Sequence, residues 1–91
     1  MIKASMFKLI FKRSVKKDIN KTNKEHLQNI AHTINSLKNN PFPEDVKKIK
    51  GGSNPYYRIR QGSYRIAYRI DLNIRAVEIV FIKRRNEKTY R

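Results

Sequence analysis

Residues 57–70 read YRIRQGSYRIAYRI, and this stretch has the pattern of a β-hairpin. Apolar and basic side chains alternate on both sides of Gly62 and Ser63, with the period of two that a strand requires. Glycine at the first position of a two-residue loop is typical of a type II′ turn. With these two residues as the loop, Arg60 lies opposite Arg65. The sequence therefore predicts two antiparallel strands in a fixed register.

The two faces of this hairpin differ in chemistry, because successive side chains of a strand point to opposite sides. The apolar face carries Tyr57, Ile59, Tyr64, Ile66, Tyr68 and Ile70. The other face, here called the arginine face, carries Arg58, Arg60, Arg65 and Arg69. Like charges directly opposite each other destabilise a sheet. We therefore expect an anion, most simply a phosphate, between Arg60 and Arg65.

Composition supports a polyanionic or acidic partner. The 91 residues include 22 Lys and Arg against 7 Asp and Glu, a formal net charge of +15, which favours binding to nucleic acid or to an acidic protein. The absence of cysteine excludes disulfides and thiolate chemistry. Neither a membrane-length apolar run nor a signal peptide is evident. We expect one cytoplasmic domain over residues 1–91, with residues 1–5 as a flexible extension and no membrane association.

The N-terminal half predicts a strand and two helices. Residues 7–11 alternate as a strand, and Ser14 is a candidate N-cap for a short helix. Thr22 and Glu25 fit a capping box that would begin a second helix. An apolar stripe at helical spacing follows, and residues 39–43, reading NNPFP, end the helix. The stripe consists of Leu27, Ile30, Ala31, Ile34 and Leu37.

The C-terminal part predicts a basic loop over residues 44–54, then the hairpin, then a last strand over residues 75–83. A turn at residues 71–74 places Val77 opposite Tyr68 and Phe81 opposite Tyr64. On this register Phe81 joins the apolar face. The arginine face then receives Glu78, Val80, Ile82 and Arg84. The predicted fold is α+β, in the order β-α-α-β-β-β: an N-terminal strand, a helical hairpin and a three-stranded antiparallel meander, with the helices on one face.

The sequence resembles the RelE/ParE toxin superfamily over about residues 7–91. The segments that carry the likeness read KIKG at 48–51, YRIR at 57–60, GSYRI at 62–66 and YR at 90–91. The resemblance implies a toxin that forms a hetero-oligomer with a cognate acidic antitoxin protein. RelE-like members bind the ribosomal A site and cleave mRNA there, whereas ParE-like members inhibit DNA gyrase. We expect the RelE-like activity, with gyrase inhibition or a catalytically inactive basic binding module as alternatives.

The resemblance also implies site residues. Arg65 matches the arginine that lies on the scissile phosphate in RelE-like enzymes. Arg58 and Arg60 stand where the best-known members have lysines, and arginine cannot act as a general base because it does not lose its proton. Tyr90 matches the tail tyrosine, six residues after Arg84. The residues expected to contact RNA or the ribosome are Lys47, Lys48, Lys50, Arg69 and Arg85.

Two points of the alignment and mechanism stay open. A second alignment would place Arg85 and Asn86 at the tail site, whereas strand parity favours Arg84. The expected reaction needs no metal and no cofactor, because guanidinium groups can hold the developing negative charge as a ribose 2′-OH attacks the phosphate. The sequence does not decide whether the general base is Tyr90, Lys50 or a ribosomal group. Glu78 is expected beside Ala67 on the arginine face, as a structural charge partner of Arg65 or Arg69 or, alternatively, as the general base.

Overall fold

In the computed structural model, which describes residues 6–50 and 55–84, two helices lie on one face of a five-stranded sheet. The strand order across the sheet is β1-β5-β4-β3-β2. Within the described residues, no helix is long and apolar enough to cross a membrane. The elements are β1 (Lys8–Phe11), α1 (Val15–Lys21), α2 (Lys24–Ser36), β2 (Lys47–Ile49), β3 (Tyr56–Gln61), β4 (Tyr64–Asp71) and β5 (Ala76–Arg84).

The α+β class and the order of elements are confirmed, with two corrections to the sheet. The region predicted as a basic loop contains the short strand β2, which pairs antiparallel with β3 and makes the meander four-stranded. The N-terminal strand β1 runs parallel to β5, so the sheet is mixed. A parallel pair needs a long crossover connection, and here the two helices and strands β2 to β4 provide it.

The predicted hairpin register is confirmed. Gln61 lies opposite Tyr64, and Arg60 lies opposite Arg65. Gly62 has a φ of +60°, whereas Ser63 is not in the positive-φ region, and this combination is the one a type II′ turn requires. A residue with a side chain rarely adopts this backbone conformation, so glycine is needed at this position.

The predicted register of the last strand is wrong for two separate reasons. The four-residue turn lies one residue later than expected, at residues 72–75, since Asp71 pairs with Ala76. A β-bulge then lies in β5, where Ala67 pairs with Phe81 but the next residue, Tyr68, pairs with Ile79. Displacing the turn by one residue shifts the pairing by two positions, which preserves the face that each residue occupies. The bulge adds one residue, Val80, and therefore exchanges the faces of all residues after it.

The core confirms most of the helical stripe. Ile30, Ile34 and Leu37 are buried, whereas Leu27 is partly exposed and Ala31 is exposed. Because of the bulge, Ile82 points into this core and not to the arginine face. The main buried partners of the stripe are Val15 from α1 with Ile59, Ile66, Tyr68, Val77, Ile79 and Ile82 from the sheet.

The predicted capping box is wrong. Helix α2 begins at Lys24 with Asn23 as its N-cap residue. The Thr22 hydroxyl is buried and donates a hydrogen bond of 2.8 Å to the Asp18 carbonyl, one turn back in α1. Ser14 does occupy the N-cap position of α1, although its side chain makes no capping hydrogen bond.

The Asp18 carboxylate joins α1 to β5. One of its oxygens accepts a hydrogen bond of 3.0 Å from the Ile82 backbone N–H, and the other lies 3.6 Å from the Lys83 ammonium. Strand β1 ends at Phe11, and its last bond to β5 runs from the Lys12 N–H to the Ile79 carbonyl. Asp18 therefore satisfies a donor on the edge of β5 just beyond the end of β1.

Replacing Asp18 tests this junction. Asp18→Ala leaves a buried backbone donor without its acceptor, and we expect it to lower the free energy of unfolding by about 2–3 kcal/mol. Asp18→Asn keeps an acceptor and loses only the partly exposed ion pair with Lys83, so its expected cost is about 1 kcal/mol or less. Urea unfolding followed by circular dichroism measures both. Glu44→Ala, at an exposed carboxylate, is the control, and an equal loss in all three variants would contradict this role.

Tyr68 connects the core to the segment that follows α2. Its hydroxyl is buried and donates a hydrogen bond of 2.8 Å to the Pro41 carbonyl. Burial raises the pKa of Tyr68 well above its ordinary value, and Tyr57 and Asp45 add to the shift. The folded protein thus keeps this hydroxyl neutral at a pH where the unfolded chain ionises it.

Tyr68→Phe should therefore change stability differently at neutral and alkaline pH. At pH 7 we expect a loss of about 1–2 kcal/mol, because the Pro41 carbonyl loses its donor. A raised folded-state pKa contributes stability below the unfolded pKa of about 10, and that contribution is lost as the pH rises further. The difference between the two proteins should shrink above pH ~10, measured by urea unfolding across pH. A constant difference would show that the hydroxyl ionises equally in both states.

Candidate nucleic-acid interface

The structure places four arginines on the sheet face away from the helices, as predicted. Strand β3 contributes Arg58 and Arg60, and strand β4 contributes Arg65 and Arg69. The helices occupy the opposite side, where the His26 ring of α2 lies 5.4 Å from the Tyr64 ring. The arginine face is therefore left uncovered by both helices.

Strand β2 extends this face only in part. Lys47 pairs with Arg58 and so projects on the same side of the sheet. Lys48 pairs with Tyr57 and projects on the other side, and Lys50 follows the strand as an exposed residue. The three lysines predicted to contact RNA are thus close in sequence, but the register brings only Lys47 beside the arginines. A shallow depression there is lined by Asp45, Lys47, Arg58 and Arg60.

The charges of the arginine face are not neutralised within the described residues. In residues 6–50 and 55–84, the contacts at ion-pair distance are those of Lys83 with Asp18 and of the His26 ring with the Glu25 carboxylate. None of the four arginines has a carboxylate at that distance. Glu78, expected beside Ala67, lies opposite Arg69 and makes no ion pair there.

The pKa of Arg58 and the hydrogen bonding of Arg65 and Arg69 also indicate that these arginines can accept an anionic ligand. The pKa of Arg58 is lowered, first by partial burial and then by repulsion from Arg65 and Arg60, while Tyr56 acts in the opposite direction. The Nε atoms of Arg65 and Arg69 are buried, and each lacks a hydrogen-bond acceptor within the described part of the chain. A bound anion would relieve the repulsion among these guanidinium groups.

Strand β5 contributes two residues that the sequence pattern did not place here. Lys83 lies directly opposite Arg65. Phe81 lies opposite Ala67, and its ring contacts the Tyr56 ring at a centroid distance of 5.8 Å. Both positions depend on the bulge, which the alternating pattern of the sequence does not reveal.

The parity argument for Arg84 is wrong. Arg84 lies opposite Tyr64, which faces the helices, and its guanidinium lies 5.9 Å from the centroid of the Tyr64 ring. Arg84 is exposed at the end of β5. Arg85, from the alternative alignment of the tail, and Tyr90 lie outside the described residues. Within the described residues, no group of three or more His, Asp or Glu side chains could hold a metal ion.

Comparison with known proteins gives consistent matches over most of the chain. A family model described as "ParE toxin of type II toxin-antitoxin system, parDE" matches residues 9–89. The chain is 33% identical over 82 residues to a putative toxin RelE1 from Methanocaldococcus jannaschii, which covers 87% of this chain and 90% of that protein.

Solved structures share the fold. A RelB–RelE antitoxin–toxin complex from Methanococcus jannaschii matches with a TM-score of 0.66 and 28% identity, covering 84% of this chain and 90% of that chain. The archaeal RelE–RelB complex from Pyrococcus horikoshii OT3 matches with a TM-score of 0.77 and 24% identity, covering 90% and 98%. The RelBE2 complex from Mycobacterium tuberculosis matches with a TM-score of 0.80 and 22% identity, covering 93% and 98%.

Repulsion between Arg60 and Arg65 should lower the stability of the free protein, and this can be tested. Arg60→Gln removes a like-charge pair with Arg65, and we expect the free protein to gain about 0.2–0.6 kcal/mol at low salt. Phosphate should raise the Tm of the wild type more than that of Arg60→Gln, because the anion has less repulsion to relieve in the variant. Arg13→Gln, at an exposed arginine elsewhere, is the control. Equal gains from Arg60→Gln and Arg13→Gln would assign the effect to net charge alone.

Proposed function

We propose that this protein is a ribosome-dependent endoribonuclease. The chain belongs to the RelE/ParE superfamily of toxins from type II toxin–antitoxin pairs, and this membership is the basis of the proposal. Its substrate would be mRNA in the ribosomal A site, and its cleavage would stop translation. The observation that carries this proposal is the arginine face. Guanidinium groups from two paired strands lie there, and in the described residues none of them has a carboxylate within ion-pair distance.

The chemistry would use these groups to bind a phosphodiester. Arg65 would contact the scissile phosphate, and Arg58 and Arg60 would contact its oxygens or the neighbouring backbone. Guanidinium forms short, paired hydrogen bonds to phosphate oxygens. As the ribose 2′-OH attacks in line, negative charge grows on the non-bridging oxygens, and fixed cations stabilise this charge more than that of the ground state. The products would be a 2′,3′-cyclic phosphate or 3′-phosphate end and a 5′-OH end.

A second cation beside Arg65 would complete the clamp. Lys83 lies opposite Arg65 on the same face, and its ammonium, 3.6 Å from the Asp18 carboxylate, would exchange that partner for the phosphate without a rearrangement of the strand. Arg84, assigned this role from the sequence, would have to turn around the end of β5, since its guanidinium lies over Tyr64. We therefore place Lys83 next to Arg65 and keep Arg84 as a candidate from the end of the strand.

Proton transfer needs a group other than the arginines. Arginine stays protonated at all physiological pH values, so Arg58 and Arg60 would stabilise charge and orient the backbone. We propose that the base comes from Tyr90, Lys50 or the ribosome. Tyr90 could also stack on a base, and Arg69 and Arg85 would add contacts to RNA.

The proposed partners follow from charge and from the related complexes. A protein of net charge +15 is stabilised by an acidic antitoxin that neutralises it, and the 28% identical RelE of Methanococcus jannaschii was solved in complex with RelB. We propose a hetero-oligomer with a cognate antitoxin, and cytoplasmic localisation beside the ribosome.

Gyrase inhibition is the second candidate, favoured by the description of the matching family model as ParE. A third is a catalytically inactive basic module, since arginines stand at 58 and 60 where the best-known RelE-like enzymes have lysines. These alternatives retain a basic surface but predict no mRNA cleavage.

Mapping mRNA 5′ ends after expression in cells separates the candidates. We expect codon-phased cuts confined to translated regions for the wild type and for Arg13→Ala, and about a 100-fold or greater loss of cutting for Arg65→Ala, because the transition-state charge loses its main contact. An SOS response without cuts would instead support gyrase inhibition. Neither effect would support the inactive module, and normal cutting by Arg65→Ala would place the site elsewhere.

A further inference from the structure

We infer that Tyr56 and Phe81 form a stacking shelf on the arginine face, where one base of a single-stranded RNA stacks on one ring while the other ring holds that ring in place. This inference rests on the proposed function, because it assigns a base subsite next to the proposed phosphate site. The aromatic pair and the surrounding arginines are separate observations that point to the same ligand.

The two rings can meet because a small residue, Ala67, lies on the strand between them. Ala67 of β4 pairs with Arg58 on one side and with Phe81 on the other, and its side chain is fully buried. Because alanine occupies little space above the sheet, the rings of Tyr56 and Phe81 meet across β4 at a centroid distance of 5.8 Å and an interplanar angle of 71°. An edge-to-face contact favours this relative orientation of the two rings before any ligand binds.

The Tyr56 and Phe81 rings are not part of the hydrophobic core. The buried cluster and the partly buried side chains packed against it include neither Tyr56 nor Phe81. Both rings are partly exposed. Tyr57, one residue along β3, does belong to the helix side, where it stacks on Tyr68 at 5.8 Å. The shelf is therefore an aromatic surface on the face that the helices leave open.

The surroundings of the shelf favour RNA over a protein segment. Arg58 follows Tyr56 by two residues on β3 and makes no ion pair in the described residues. Lys83 follows Phe81 by two on β5, on the same face, with its ammonium 3.6 Å from the Asp18 carboxylate. Aromatic rings within a positively charged groove are the usual platform for single-stranded nucleic acids, since every base has a face that can stack. A nucleotide carries its base and its phosphate on one sugar. The base could therefore contact the aromatic shelf while the phosphate contacts the neighbouring arginines.

A fluorescent base tests the shelf directly. A short single-stranded RNA that contains one 2-aminopurine is titrated with purified protein, without ribosomes, so that binding is measured apart from the proposed ribosome-dependent cleavage. Stacking quenches 2-aminopurine, so we expect strong quenching by the wild type and by Tyr56→Phe. Tyr56→Leu and Phe81→Leu should each lose quenching and weaken binding about 5- to 100-fold. The slope of log Kd against log salt should stay unchanged in both, because no phosphate contact is lost.

Controls distinguish the shelf from folding and from the proposed activity. Phe42→Leu, at an exposed ring outside the arginine face, should retain wild-type binding and quenching. Thermal unfolding shows whether the leucine variants are folded, and Phe81→Trp should restore quenching if Phe81→Leu proves unstable. Arg65→Ala should reduce the salt slope by about 0.7, the value for one phosphate of a single strand, and still quench at saturation. Unchanged quenching in folded Tyr56→Leu and Phe81→Leu would overturn the shelf, whether or not the protein cuts mRNA.

Discussion

The extra residue in strand β5 determines what each side of the sheet contains at the site. Before Val80, β5 directs Val77 and Ile79 to the helices; after it, Phe81 and Lys83 take the arginine face and Ile82 takes the core. A bulge disturbs the hydrogen bonding of its strand locally and is placed where a side chain must be redirected. Here it lies where β1 ends and the Asp18 carboxylate begins to serve the edge of β5.

The two faces of the sheet have opposite energetic roles. On the helix side, the fully buried Ile66, Tyr68 and Ile79 contribute the apolar burial that stabilises the domain. On the other side, arginines face each other without counter-charges, which lowers stability in the free protein. A domain of this size has few kcal/mol to lose. Binding of an anionic ligand or an acidic partner to the arginine face would therefore stabilise the fold as well as serve the activity.

The sequence predicts the hairpin well because several independent signals agree there. Gly62 fixes the turn, alternation fixes the faces, and together they correctly place Arg60 opposite Arg65. The last strand offers no such agreement. Val80, Phe81 and Ile82 are all apolar, so either parity buries apolar side chains, and Lys83 and Arg84 are both basic, so either parity adds a cation to the arginine face. Only the hydrogen-bonding register separates these alternatives, and composition does not determine it.

Arginine at positions 58 and 60 cannot supply the proton acceptor of the proposed reaction, but it is well suited to binding a nucleotide. Lysine in a crowded basic site can lose a proton as its pKa falls, whereas the lowered pKa of Arg58 still leaves the guanidinium charged. In general, a planar guanidinium can stack on an aromatic ring and can bind phosphate through two nitrogens. A sheet that places Arg58 between Tyr56 and Arg60 is therefore suited to holding a nucleotide by its base and phosphate together, and the proton acceptor must come from outside the four arginines.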